Sequence, residues 1–145
     1  MTDTPKMEDV IEPVVQAFKD ELEATGLFDE IDEGENVYEG SGMKAMVLPG
    51  PDTIKNVGMQ KLEHQILMYV IILSGEEDTT PTVLRKEMYP AYDALMADLT
   101  HGGTCWVALP TLWSPGFLEW AGKTYVGILS NWIVRVYQTY TPLGA

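Results

Sequence analysis

The segment Glu63–Leu73 constrains the fold more than any other part of the chain. It begins with the polar residues Glu63, His64 and Gln65 and becomes continuously apolar from Ile66 onward. A strand with one solvated face alternates throughout its length, whereas a strand covered on both faces is apolar at every position. The segment therefore predicts the central strand of a sheet that is covered on both faces.

A second long segment, Thr124–Tyr140, has an almost wholly strand-like composition. Its 17 residues would span about 55 Å as one straight strand, at about 3.3 Å per residue. That length exceeds the size of the domain, so we expect a bend or bulge near Ser130–Asn131. Shorter strands are predicted at residues 36–39, 43–48 and 104–109, with loops at residues 52–61 and 74–81.

Two stretches have the spacing of amphipathic helices. Apolar residues recur at helical spacing over residues 9–25 and again over residues 82–99. Pro90 should kink the second helix, because proline removes a backbone hydrogen bond. The order of elements predicts the α+β class, with two helices packed on a mainly antiparallel β-sheet and a long C-terminal strand or hairpin.

The length and composition are those of one globular domain. A chain of 145 residues can bury roughly 70% of its unfolded surface, which is enough for one core. We therefore treat residues 1–145 as a single domain. The only cysteine, Cys105, lies in an apolar run and is expected to be a buried thiol. The amino-terminal residues lack the pattern of a signal peptide, so we expect the chain to be synthesised in the cytosol.

Acidic residues are concentrated at the start of the chain. The net charge is −13, and residues 1–39 alone carry 13 acidic residues against two lysines, a balance of −11. A charge of this sign opposes binding to nucleic acid backbones, which requires clustered Lys and Arg. A loop over about residues 27–42 contains the candidate acidic face, which would border solvent or a lumen. Its members are Asp29, Glu30, Asp32, Glu33, Glu35 and Glu39.

The sequence offers no set of residues with catalytic or ligand-binding spacing. His64 and His101 have no second metal ligand at the usual spacing. No glycine-rich phosphate-binding pattern occurs, and neither Ser114 nor Ser130 has the context of a nucleophile. We therefore predict no catalytic residue, no metal and no cofactor, and a protein that is not an enzyme.

An aromatic loop is predicted at about residues 110–122, because Pro110, Pro115 and Gly116 disfavour regular structure there. Its apolar side chains either fold back on the core or project as a contact patch, in which tryptophans have the character of interface anchors. Arg135, in the last strand, is a candidate partner for an acid on a neighbour. The candidate interface residues are Leu112, Trp113, Phe117, Leu118, Trp120 and Arg135.

The whole pattern resembles the tail terminator, or tail-completion, proteins of long-tailed bacteriophages. The resemblance rests on the opening helix over residues 10–22, the strand Ile66–Gly75, the helix over residues 82–99 and the terminal run Tyr125–Tyr137. These elements cover most of the chain. They match the family as an order of elements rather than as an invariant motif.

The resemblance implies a structural subunit, without cofactor, that forms a hexameric ring at the head-proximal end of the tail tube. Such a ring stops tube growth and contacts both the tail tube protein and the head-tail connector or neck protein. It is assembled in the host cytoplasm and ends in the virion. DNA would pass through without specific binding, and an acidic lumen would favour this by repulsion. Rings require heterologous contacts, in which one patch meets a different patch on the neighbour.

Two other interpretations remain open. Another neck protein, for head completion or head-to-tail joining, would also be small, acidic and ring-forming, but it would bind a portal or its adaptor. A small ligand-binding α+β domain would use the aromatic loop to close a pocket. It predicts a monomer whose thermal stability rises with a small molecule.

Overall fold

A five-stranded sheet with three helices on one face forms the fold in the computed structural model, which describes residues 6–140. The helices are α1 (Glu8–Glu23), α2 (Pro81–Glu87) and α3 (Tyr89–Met96). The strands are β1 (Glu30–Asp32), β2 (Met43–Gly58), β3 (Lys61–Ser74), β4 (Val107–Trp120) and β5 (Lys123–Thr139). Their order is β1, β2, β3, β5, β4, and only the β1 and β2 pair is parallel. The predicted α+β class and the long C-terminal strand are confirmed.

The pairing of β3 with β5 runs without a register shift through the centre of the sheet. All 14 residues of β3 pair with β5, from Lys61 opposite Thr139 to Ser74 opposite Val126. The bend or bulge expected near Ser130–Asn131 does not interrupt this pairing, but a register shift occurs at the same level in the neighbouring strand β4, between Pro110 and Leu112, which pair with Trp132 and Asn131.

The helices bury one face of the sheet. Alternate residues of β3, from Ile66 to Ile72, point toward the helices and are fully buried. The indole of Trp132 on β5 lies 5.8 Å from the ring of Phe18 on α1, edge to face. Its Nε1 donates a hydrogen bond to Ser130 Oγ at 2.7 Å, which satisfies the polar atom of this buried side chain. Burial of apolar area on this face is the main stabilising contribution.

The opposite face of the sheet carries no helix and is covered only at one end. We name residues 33–42 the clasp, because this segment crosses that end of the sheet between β1 and β2. Its Tyr38 is buried against Met46 and Leu73, and the Tyr38 carbonyl accepts a hydrogen bond from Tyr125 Oη at 2.8 Å. We name the remainder the open face, which no described residue covers. Its apolar side chains are Leu67, Tyr69, Leu109, Leu112, Leu129 and Ile133.

Residues 52–61, predicted to be a loop, belong instead to a hairpin formed by β2 and β3. Strand β2 continues through Pro49–Pro51 with a register shift and turns back at Met59–Gln60. Proline is tolerated here because this part of β2 is an edge strand, where a missing N–H has no partner strand to serve. The predicted strand at residues 36–39 is also wrong, because those residues form the clasp.

The aromatic loop predicted at residues 110–122 is wrong as well, because most of it is strand β4. Pro110 and Pro115 indicate a loop by local rules, but β4 is an edge strand that pairs only with β5. Prolines are admitted on such a strand when the nitrogen faces away from the partner. The strand predicted at residues 104–109 also begins later than expected, at Val107.

The second predicted helix is divided into α2 and α3 at Met88, whose backbone (φ −97°, ψ 4°) leaves the helical region. Pro90 lies at the start of α3, where proline removes no intrahelical hydrogen bond. The expected kink is therefore a complete break. The helix begins at Pro81, one residue before the predicted range, and the Thr80 side chain caps it by accepting a hydrogen bond from Val83 N at 3.3 Å.

We predict that Gly75→Ala destabilises the fold, because the clasp crosses the backbone there. Gly75 N donates to Gly42 O at 2.8 Å, and a Cβ on Gly75 would overlap the carbonyl of Gly40. The free energy of unfolding should fall by about 1–3 kcal/mol, measured by urea unfolding. Gly116→Ala is the control, since a Cβ there meets nothing within 4 Å. Equal stability of the two variants would contradict this close packing.

Candidate functional site

The alternation of side chains along β4 divides the predicted interface residues between the two faces of the sheet. Trp113 packs on the helix face, where its ring centroid lies 5.2 Å from that of Tyr92. Phe117 points to the same face beyond the helices and is 70% exposed. Leu112 lies on the open face and is 39% exposed. Leu112 and Phe117 are thus available for contact, whereas Trp113 is half-buried against the core.

The remaining interface candidates also make contacts within the chain. Leu118 and Trp120 pack against the cluster around Tyr38, beneath the clasp. Arg135 lies on the open face, with its Nε 3.9 Å from Glu63 Oε1. An exposed pair of this kind contributes at most about 1 kcal/mol, so it does not hold the arginine in place. The structure does not bring the six candidates together in one patch, and their role in an interface stays a prediction.

Lys44 anchors the clasp, although local pattern predicts no more for it than a position in a strand. Its side chain is fully buried, with Nζ 2.8 Å from Asp32 Oδ2 and 3.5 Å from Glu30 Oε2. Nζ also donates to the carbonyl of Asn36 at 2.6 Å. A buried cation requires paired anions, so the acidic segment folds back over the sheet. The sequence signal for this anchoring role is a single lysine within an apolar strand that directly follows an acidic stretch.

The other acids of the segment are partly used in local contacts. Asp29 Oδ2 accepts a hydrogen bond from Tyr38 Oη at 3.1 Å, and Glu33 Oε2 lies 3.3 Å from Lys19 Nζ. The remaining two acids, Glu35 and Glu39, are exposed, and Glu35 also accepts a hydrogen bond from the Glu33 N–H. Their placement along a lumen stays a prediction, because a lumen depends on neighbouring subunits.

Two pKa shifts follow from the packing of the clasp. Burial acts to raise the pKa of Asp32, but the hydrogen bond from Lys44, that of the Gly34 N–H and the Lys44 charge together lower the pKa. Burial, followed by the hydrogen bond to Asp29 and its negative charge, raises the pKa of Tyr38 to about 12. At neutral pH Asp32 is therefore ionised and Tyr38 neutral, as the contacts of the clasp require.

The outer edge of β4 has no partner strand in the described chain. The two-residue turn Ala121–Gly122 makes Trp120 and Lys123 a hydrogen-bonded pair of the antiparallel ladder. Every second residue before Trp120 is bonded in the same way, so the backbone groups of the residues between them face outward. These residues are Glu119, Phe117 and Pro115. Pro115 therefore loses no ladder bond, and a row of unpaired backbone groups is left at this edge.

The opposite edge of the sheet is also largely unpaired. Strand β1 pairs with Lys44, Ala45 and Met46 only, so residues 47–58 of β2 have no partner on that side within the described chain. The two edges carry different residues and lie on opposite sides of the sheet. They form two distinct surfaces of the kind that accepts a further strand.

An open cleft of about 910 Å³ lies at the end of the sheet where β4 turns into β5. Its walls are the clasp, the loop that follows β3 and the start of β5. Four carboxylates and one lysine line it, together with the ring of Phe117. These charged residues are Glu39, Glu76, Glu77, Asp78 and Lys123. The cleft is therefore acidic with an apolar side.

Both histidines make short polar contacts in the interior. His64 Nδ1 lies 2.6 Å from Asp52 Oδ2 and its Nε2 lies 2.8 Å from Gln138 Oε1, so this ring joins β2, β3 and β5. His101 Nδ1 lies 2.6 Å from Glu21 Oε2 of α1. Residues 6–140 contain no group of three His, Cys, Asp or Glu side chains arranged to hold a metal ion.

Cys105 is buried, as expected. Burial, together with the negative charges of Asp98 and Glu21, raises the pKa of its thiol to about 11. The thiol is therefore protonated and poorly nucleophilic at neutral pH. Among the helices of residues 6–140, none has the length and apolar character needed to cross a membrane.

Comparison with known proteins assigns no family to the chain. No protein-family model and no curated protein matches it. Nineteen chains of solved structures match. One of them is a cryo-EM structure of an extracellular contractile injection system, described as the PVC sheath/tube terminator in the extended state. It is 13% identical with a TM-score of 0.47, and the match covers 99% of this chain but only 62% of the other, a likeness too low to assign a function.

We predict that Asp32→Asn removes a pH-dependent part of the stability. The pKa of Asp32 is lowered from 3.8 in the folded chain, so its carboxylate stabilises the fold above that pH and loses this effect as the pH falls through the folded pKa. Near neutral pH the wild type should exceed the variant by about 1–3 kcal/mol in free energy of unfolding.

Urea unfolding over a range of acidic to neutral pH measures this difference. It should be constant at neutral pH and should shrink in acid. Asp93→Asn, a surface change on α3, serves as the control. A difference that persists unchanged in strong acid would show that the effect does not come from the ionised Asp32.

We predict that Trp113→Ala and Phe117→Ala separate folding from contact. Trp113→Ala should lower the free energy of unfolding of the isolated chain by about 2–4 kcal/mol, because its indole packs on Tyr92 and the core. Phe117→Ala should change it by less than about 0.5 kcal/mol, because the ring is 70% exposed. Chemical denaturation measures both values. A large loss for Phe117→Ala would mean that this ring belongs to the core.

Proposed function

We propose that this chain is a structural, non-enzymatic ring subunit, namely a tail terminator that caps the head-proximal end of a tail tube. The observation that carries the proposal is the pair of unpaired edges on one sheet. The β4 edge of one copy can pair with the β2 edge of the next. Because the two edges are different surfaces, the contact is heterologous, and its repetition closes a ring when the rotation between neighbouring copies divides a full turn.

The strand directions favour this contact. Strand β2 is antiparallel to β3, β3 to β5, and β5 to β4, so β4 and β2 run in opposite directions. In a ring whose axis follows the strands, each copy keeps these directions. The β4 strand of one copy would then meet the β2 strand of its neighbour in an antiparallel pair, and the ladder would continue around the ring.

The residues of the edges support a contact between chains. An exposed, long and uncharged edge is an aggregation hazard unless a partner covers it. The only charged residue of β4 is Glu119, and its exposed apolar side chains include Leu109, Leu112 and Phe117. On β2, residues 47–53 lie level with β4, because Val107 pairs with Arg135, Arg135 with Gln65 and Gln65 with Thr53. Pro49 and Pro51 lack the N–H of a ladder donor, so the other residues of this stretch would make the contact, and the turn at Met59–Gln60 lies beyond it.

The sequence resemblance supports the more specific parts of the proposal. It implies six subunits, the tail tube protein as one partner, a head-tail connector or neck protein as another, and a place in the virion. The net charge of −13 would keep DNA from adhering as it passes through the ring. No enzymatic activity is required for any of these steps.

The mass of the purified chain tests the ring directly. Light scattering on a sizing column should give one closed oligomer, six-fold in mass, and negative-stain images should show rings. Added tail tube protein should form tubes that are capped at one end. A strict monomer that neither closes into rings nor binds tubes would rule out a terminator.

We predict that Leu109→Lys weakens the ring. Leu109 lies on the part of β4 that is level with the free part of β2, because it pairs with Ile133, which pairs with Leu67 of β3. A lysine on an edge strand opposes pairing with a further strand, and the side chain is 48% exposed, so folding should be kept. Sizing-column light scattering should show a shift from ring to monomer, with an unchanged circular dichroism spectrum. Val83→Lys, at an exposed position on α2, is the matched control for the added charge. Equal assembly of both variants would contradict pairing at this edge.

The cleft near Phe117 favours one other class, a small ligand-binding domain. Its volume of about 910 Å³ lies within the usual range of ligand pockets. This function predicts a monomer whose melting temperature rises with a bound small molecule. A different neck protein is separated from a terminator by its partner, since it would bind a portal or adaptor and leave tail tubes uncapped.

A further inference from the structure

The β2–β3 hairpin ends in a tip whose chemistry differs from that of the rest of the chain. Every residue from 53 to 60 is exposed, and Met59 at the turn is 94% exposed. Ile54 and Val57 add further exposed apolar surface. Between Thr53 and Leu62 the charged residues are two lysines, Lys55 and Lys61, in a chain with a net charge of −13. The tip is therefore apolar and positively charged.

The cleft at the other end of the sheet has the complementary chemistry. It presents four carboxylates against one lysine, and the exposed ring of Phe117 lies beside them. Thioether sulfur and aromatic rings attract each other, so Met59 and Phe117 are suitable partners. Ammonium groups beside Met59 would meet the carboxylates of Glu76 and Glu77. The cleft volume of about 910 Å³ is large enough to hold the side chains of a hairpin turn.

The tip of a chain cannot reach its own cleft. Lys61 and Ser74 lie at opposite ends of β3, which corresponds to about 43 Å at about 3.3 Å per residue. The strand is fixed between them by unbroken pairing with β5. Any contact between tip and cleft must therefore join two molecules.

We propose that the β2–β3 hairpin tip of one copy docks in the acidic cleft of a second copy, end to end. The contact is heterologous, and it joins copies along the direction of the strands. It goes beyond the proposed ring, whose contacts are lateral and use the strand edges. In such a ring all tips lie on one rim and all clefts on the other, so a second layer could stack with one polarity only.

Charge-reversal variants test the contact. The tip variant is Lys55→Glu with Lys61→Glu, and the cleft variant is Glu76→Lys with Glu77→Lys. Each variant alone brings like charges together, so end-to-end association at low salt should weaken about tenfold or more. An equimolar mixture of the two variants restores opposite charges and should recover association. Sedimentation velocity at low and high salt measures the masses.

A third variant, Arg85→Glu with Lys86→Glu, controls for the change in net charge. It makes the same charge change as the tip variant at exposed positions on α2 that do not line the cleft. It should associate like the wild type. A wild type that does not associate end to end at low salt, a mixture that fails to recover, or a control that weakens equally would each overturn the proposal.

The lateral ring and the end-to-end contact can be scored separately. Leu109→Lys should reduce the lateral oligomer and leave the salt-sensitive end-to-end contact in place. The tip and cleft variants should form lateral oligomers of normal mass. Rings that persist without stacking would overturn the end-to-end contact alone, and stacking without rings would overturn the ring alone.

Discussion

The unbroken pairing of β3 with β5 is the constraint on which the rest of the structure depends. Both strands are apolar on both faces along much of their length, so each face of the sheet needs a cover. Three helices cover one face. The other face is covered only at the end crossed by the clasp, where Tyr38 is buried against Met46 and Leu73. Because three helices and the clasp cover only part of this long sheet, the open face and two strand edges are left exposed.

The clasp shows how charge and packing are connected in this chain. Lys44 is buried at the end of the sheet and is held by Asp32, Glu30 and the carbonyl of Asn36. A cation at that position requires nearby anions, which explains why the acidic segment turns back instead of extending into solvent. Of the acids not used in this way, Glu39 lines the cleft. The apolar hairpin tip, with its two lysines, lies at the far end, so the long axis of the molecule carries a charge difference.

Local pattern was enough to predict the first helix, the helical character of residues 82–96 without its break at Met88, the strand from Glu63 to Leu73 and the α+β class. It failed where the meaning of a residue depends on its neighbours in space. Pro110 and Pro115 indicate a loop unless the strand is known to lie at the edge of a sheet. The order of strands in the sheet depends on long-range pairing, which no single segment of the sequence reveals. Lys44 gives no local sign of its partners. The prediction of one interface patch was the least accurate, because neighbouring residues of β4 point to opposite faces of the sheet.

The length of the β3 and β5 pairing has a mechanical consequence. The strands run from the hairpin tip to the cleft, so a pull applied between those two ends would load the hydrogen bonds between β3 and β5 in shear. Bonds loaded in this way must rupture together, whereas bonds pulled across a sheet open one after another. The chain should therefore resist axial tension far better than a force applied sideways at an edge. A protein placed at the end of a tube under longitudinal strain would gain directly from this arrangement.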